Sequence, residues 1–143
     1  MRISVNDKEY FKTSTEFMNV KFGTSYNAKR GFQPSVITPK IFRDKKINMN
    51  DYKLWTPVAP GVNPKNKYTN KLIDGGLKFV EILTINDKDK DKEIDATNKR
   101  VVLYREKGGY RFVGTFQYIP ESRTVNGNVI TRTFERISDI IEF

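Results

Sequence analysis

Hydrophobic and polar positions alternate most clearly between Val101 and Ile137. Val101-Val102-Leu103-Tyr104-Arg105 is β-branched and aromatic, Glu106-Lys107-Gly108-Gly109 supplies turn residues, and Tyr110 to Ile119 alternates again. This spacing predicts two strands joined by a tight turn. Pro120 is expected to end the second strand, and a polar loop centred on Asn126-Gly127 leads to a third, over residues 128–137. The three make an antiparallel meander. Period-two alternation places Tyr110, Phe112, Gly114, Phe116 and Tyr118 on one face. A glycine among aromatics admits a bend, a bulge or the close approach of another element. Core packing is the simpler reading of that face; the sharper one is a partly open aromatic pocket able to accept a base.

Upstream of the meander the pattern is more broken. Arg2-Ile3-Ser4-Val5 reads as a short first strand followed by a turn at Asn6-Asp7. Thr13 stands three residues before Glu16, the capping-box spacing, and Gly23 stands where a helix C-terminus favours glycine, so a helix is expected over about 14–22 with its aromatics in the core. Residues 24–39 form a basic loop, and Val36-Ile37, Ile41-Phe42 and Ile47 are spaced for short strands at most. Residues 51–60 carry the only Trp in an extended path, because the residue before each proline is biased away from helix. Residues 61–71 read as a loop with Tyr68 inside it, and Asp74-Gly75-Gly76 as a turn. Residues 77–85 read as a strand whose two faces are both partly apolar, which favours a closed or two-layer arrangement over an open sheet. Residues 86–99 alternate charge sign with almost no apolar content and read as a flexible charged loop. The glycine of a calcium loop is missing there, and each acid stands beside a lysine, so no metal site is expected.

The fold class is therefore mainly β (α+β): a twisted β-barrel or a two-layer antiparallel sheet with one or two short helices, in a single domain over 1–143. No apolar run approaches the roughly 20 residues of a membrane helix, and the N-terminal residues lack the apolar core of a signal peptide. The expectation is a cytoplasmic protein without membrane contact.

Composition then narrows the chemistry. The chain of 143 residues has neither Cys nor His, which removes thiolate nucleophiles, disulfides, the usual zinc sites and histidine general bases. No cofactor is expected. The net charge is +9, which makes a polyanion the first partner to consider. Residues 1–60 hold eleven Lys/Arg against five Asp/Glu, whereas residues 101–143 hold six against five. The cationic surface is thus expected from the first half, with Lys29, Arg30, Lys45, Lys46, Lys65 and Lys67 as phosphate contacts. Trp55, Tyr68 and Tyr110 are candidates for stacking on a base, and Asn70 and Asp74 for hydrogen bonds to its edge. Each has a plainer reading: the cations as a solvated face, Trp55 and Tyr110 as core anchors, Asp74 as a turn residue.

Gly109-Tyr110-Arg111-Phe112-Val113-Gly114-Thr115-Phe116, the turn at Gly127 and the strand with Arg132, Phe134 and Arg136 together resemble the segment that gives SRA/YDG domains their name, within the wider PUA-like group. Val113 stands where the Asp of the Tyr-Asp-Gly motif would be. The resemblance, carried by the last third of the chain, implies a twisted barrel that binds nucleic acid, often by taking a flipped, modified base between aromatic planes, as in modification-dependent restriction systems. The leading functional reading is a non-catalytic domain that binds nucleic acid, DNA first, alone or with an effector or nuclease on another chain. The alternative is an interaction protein of a phage or mobile element that binds a host protein or a signalling nucleotide. A metal-dependent nuclease using Asp74 or Glu93 is a third.

Overall fold

The structure, a computed structural model, describes residues 2–25, 40–47, 49, 52–62, 68–84 and 99–143. Its centre is the expected meander: strands β5 (Lys99–Glu106), β6 (Gly109–Asn126) and β7 (Val129–Ser138) pair antiparallel in sequence order. The meander is extended on one side by β4 (Lys78–Thr84) and β3 (Tyr68–Ile73), both antiparallel, and on the other by β2 (Tyr52–Trp55), which runs parallel to β5. The order across this six-stranded sheet is β2-β5-β6-β7-β4-β3. A second, two-stranded sheet joins β1 (Arg2–Ser4) to β8 (Ile140–Glu142).

Helix α1 (Ser14–Phe22) forms where its caps place it. The Thr13 hydroxyl accepts from the Glu16 amide at 3.0 Å, and Gly23 closes the helix with φ 67°. The Glu16 carboxylate accepts from Lys12 N–H rather than from Thr13, one residue further out than a capping box requires. Residues 40–44 are also helical, where short strands were expected. An i,i+4 pair between Lys40 and Asp44 at 2.7 Å spans that turn while Ile41 and Phe42 are buried beneath it. Val36 and Ile37 lie outside the described residues.

Two cores result, one on each face of the large sheet. Phe17, Met18 and Phe22 of α1 pack with Phe42, Leu54, Leu103 and Phe112 on the first face, which β1 and β8 also cover through Ile3 and Ile141. Phe79, Val102, Tyr104, Val113, Phe116, Tyr118 and Phe134 form the second. Strand β5 is apolar on both sides because it serves both: Val101 and Leu103 face one core, Val102 and Tyr104 the other.

The expected single aromatic face of β6 is divided between these cores. Val102 pairs with Gly114 but Leu103 pairs with Phe112, so Val113 is an extra residue and the alternation reverses. Phe112 then joins the first core while Phe116 and Tyr118 join the second. Gly114 makes this bulge feasible, with φ 121° and the Arg136 side chain lying across it. Pro120 does not end the strand, which continues to Asn126, and the polar loop there is a two-residue turn at Gly127-Asn128. The proline is tolerated because β5 pairing ends at Gln117 and the ladder to β7 is interrupted between Ile119 and Thr124, so among the described residues its missing N–H lies where no ladder bond forms.

The large sheet is not a closed barrel, yet it curls strongly. Trp55 on edge strand β2 lies 4.8 Å, ring to ring, from Phe79 on β4, four strands away. In a flat sheet that separation would be about 19 Å. The opposite edges approach through side chains: the Asn70 amide on β3 donates to the Val58 carbonyl just beyond β2 at 3.5 Å. The Tyr104 hydroxyl on β5 donates to the Asn70 carbonyl at 2.8 Å. The second core is the inside of this curl.

Candidate nucleic-acid interface

Cross-strand register fills the curl in rows. Leu72, Phe79, Phe134 and Tyr118 stand opposite one another on β3, β4, β7 and β6, and make an aromatic and aliphatic row. Two residues along each strand, Asn70, Glu81 and Arg132 make the next row. A polar row follows an apolar one because each strand keeps its inward parity while the residue type changes.

That polar row is buried: Asn70 is 3%, Glu81 4% and Arg132 3% exposed. Arg132 Nη1 donates to Glu81 Oε1 at 3.3 Å. Arg100 reaches the same region from β5, with its guanidinium 4.8 Å from the Trp55 ring and 5.7 Å from that of Phe134, within the range of cation–π attraction. Burial raises the Glu81 carboxyl above its ordinary range, opposed by the charges of Arg132 and Arg100. Burial likewise lowers Arg100, with Glu81 opposing and Arg132 reinforcing the shift. Burial also raises the Tyr104 phenol, keeping it protonated as the donor to Asn70.

The direction at Glu81 sets a pH dependence. A carboxyl with a raised folded pKa contributes stability that is present below its unfolded value and lost as pH rises through the folded value. Urea denaturation across that range should show the wild type losing stability relative to Glu81→Gln as pH rises. Parallel curves for the two proteins would refute the assignment.

Some polar atoms of the curl lack partners. Asn70 Oδ1, Arg100 Nε and Arg132 Nε are buried with no hydrogen-bond partner among the described residues. Buried donors and acceptors are ordinarily satisfied, so one acceptor and two donors stand unmatched around one patch. Trp55, only partly buried, packs beside them against Phe79 and Phe134.

Trp55 and Asn70 therefore come together, and the other expected residues do not join them. Tyr110 packs on the first core, where its ring lies 5.7 Å from the Arg105 guanidinium. Asp74 is exposed on the turn after β3, 3.7 Å from Lys78. Lys45 and Lys46 are exposed just after residues 40–44, on the helical side of the sheet. Tyr68 opens β3 rather than lying in a loop; the strand escaped notice because Thr69, Asn70 and Lys71 give it little apolar alternation. Lys29, Arg30, Lys65, Lys67 and Glu93, and nearly all of the charged loop at 86–99, lie outside the described residues. Sequence reasoning missed Glu81, Arg100 and Arg132. The available signal was a charged residue amid apolar neighbours of the same parity: Glu81 between Phe79 and Leu83, and Arg132 between Ile130 and Phe134.

No helix among the described residues is long and apolar enough to cross a membrane. A family model for the SET and RING associated (SRA) domain matches residues 1–143. No curated protein matches the chain.

Proposed function

Since the chain belongs to the SRA domain family, a family of DNA-binding domains, we propose that it binds DNA by taking a base out of the duplex into the mouth of the curl, against Trp55. The observation that carries this reading is the set of unmatched buried atoms beside a partly buried tryptophan. A flipped base is held by stacking on one side and by hydrogen bonds along its Watson–Crick edge. Trp55, backed by Arg100, offers the stacking plane. Asn70 Oδ1 offers an acceptor, and the Nε groups of Arg100 and Arg132 offer donors. An acceptor with two donors complements the amino group, N3 and O2 of cytosine, so cytosine or a modified cytosine is the base this patch favours. The reading is of recognition without catalysis, in a restriction or defence setting where a nuclease or other effector is carried on another chain.

A binding panel tests it: single-stranded and duplex DNA and RNA, with plain and modified cytosines, each at two salt concentrations. Discrimination among bases at fixed salt is the expected result, and equal affinity for every member would overturn the reading. Trp55→Ala should weaken the preferred DNA by about 10- to 100-fold, the range for one stacked base, while the salt dependence stays unchanged. Trp55→Phe, which keeps a ring in the core, should recover most of the loss if stacking is the cause.

A further inference from the structure

A second cationic feature lies on the other side of β5. Where the β5–β6 hairpin meets residues 59–62 there is a trough of about 350 Å³, lined by Lys12, Gly61, Arg105, Lys107, Gly109 and Tyr110 among others. Lys12, Gly61, Arg105 and Lys107 are all exposed. Arg105 follows Tyr104 in the strand, so its side chain leaves the opposite face from the curl. The carboxylate in the trough, Glu106, is already held by Arg111. Among the described residues no ion pair joins Lys12, Arg105 or Lys107 to an acid, which leaves three cations facing one open space. Gly61 adds no obstruction, since a Cβ there would meet nothing within 4 Å.

We propose that this trough binds phosphate groups of a DNA backbone, as a contact separate from the base-accepting curl. The inference rests on the reading of the chain as a DNA-binding domain and extends it. Three cations around a shallow space suit a chain of phosphodiesters, which carries regularly spaced single charges and needs no enclosed pocket. The placement suits it too. Residues 57–62 border both features: the Val58 carbonyl accepts from Asn70 and Ala59 packs on the second core, while Gly61 and Val62 line the trough. Arg105 fastens this segment through two backbone bonds, its N–H to the Pro57 carbonyl at 2.9 Å and its carbonyl from Ala59 N–H at 2.8 Å. A strand with one base in the curl would therefore carry neighbouring phosphates toward the trough.

The test uses the full chain and the double variant Lys12→Gln/Lys107→Gln, which removes two exposed charges without touching either core. Duplex DNA affinity is measured by fluorescence anisotropy over a range of salt. Each lost phosphate contact lowers the slope of log K against log salt by about 0.9, so the double variant should lose about 2 from the slope and keep the wild-type ratio between modified and plain cytosine. An unchanged slope overturns the inference and leaves the curl reading intact, whereas lost base discrimination in the wild type with a slope still sensitive to the two lysines removes only the curl reading. Competition with inorganic phosphate and a dinucleotide separates free phosphate from backbone: the inference expects the dinucleotide to compete at lower concentration. Polyglutamate competing as well as single-stranded DNA of equal charge would overturn the phosphate assignment in favour of an acidic protein.

Discussion

Arg132→Met should destabilise the fold by about 3–5 kcal/mol, the usual consequence of leaving one partner of a buried ion pair uncompensated. Arg132 Nη1 is the hydrogen-bond donor to Glu81 at 3.3 Å, and both side chains are at most 5% exposed. With Arg132 gone, Glu81 loses its hydrogen-bonded partner and keeps the weaker field of Arg100, and protonation of its carboxyl is the cheapest relief. Two consequences distinguish this account from simple loss of packing. The variant should recover stability at acid pH, and Glu81→Leu/Arg132→Met should be more stable than Arg132→Met alone, because an apolar pair avoids the stranded charge. Equilibrium denaturation in urea for the three proteins decides it; a double variant no better than the single would mean that the charge is not what the single substitution exposes.

Gly114→Ala should cost about 3 kcal/mol or more, a large part of an ordinary folding margin of about 5–15 kcal/mol. A Cβ at this position would lie 2.5 Å from Arg136 Cδ and 2.9 Å from the Ser138 carbonyl, with φ at 121°. Backbone strain contributes about 1–3 kcal/mol and overpacking a similar amount. Gly127→Ala supplies the control: φ there is 60° but nothing lies within 4 Å, so only the left-handed conformation is penalised, at roughly 1 kcal/mol. Thermal melts of the two variants should therefore differ widely. Similar melting temperatures would show that the crowding at Gly114 is relieved by a small shift of β7.

The contrast between these glycines also explains what could and could not be read in advance. Helix α1 was legible because its signals are local: a hydroxyl cap, an acid three residues on, and a glycine at the end. The meander was legible because its turns carry glycine and its strands carry β-branched and aromatic residues. The bulge at Val113 was not, because one unpaired residue alters parity without altering composition, and it sends Phe112 and Phe116 to different cores. Strand β3 was hidden by its polar residues, which an edge strand tolerates. Residues 40–44 became helical because burial of Ile41 and Phe42 beneath the turn outweighed their strand preference.

The site follows the same division. Trp55 and Asn70 could be singled out by type, but their proximity depends on a curl that brings opposite sheet edges together. Glu81 and Arg132 meet only through the register of β4 and β7, 51 residues apart in the chain. Net charge pointed to the first half of the sequence, whereas Arg100 and Arg132, the cations inside the curl, come from β5 and β7. A charge count over segments weighs a buried arginine and a solvated lysine alike, so it cannot separate a cation that shapes a pocket from one that attracts a polyanion.

The first core has a consequence for the chain as it is made. Phe11, Phe17, Met18 and Phe22 are synthesised early, but the surfaces that cover them include Leu103, Phe112 and Ile141. During translation the aromatic helix therefore waits, without these partners, until β8 has been made, an interval on the order of ten seconds at about 5–20 residues per second. In that interval its apolar side chains are available to other molecules. The closing of β1 on β8, where Ile3 meets Ile141, ends this exposure, so the emergence of β8 rather than helix formation marks the start of productive folding.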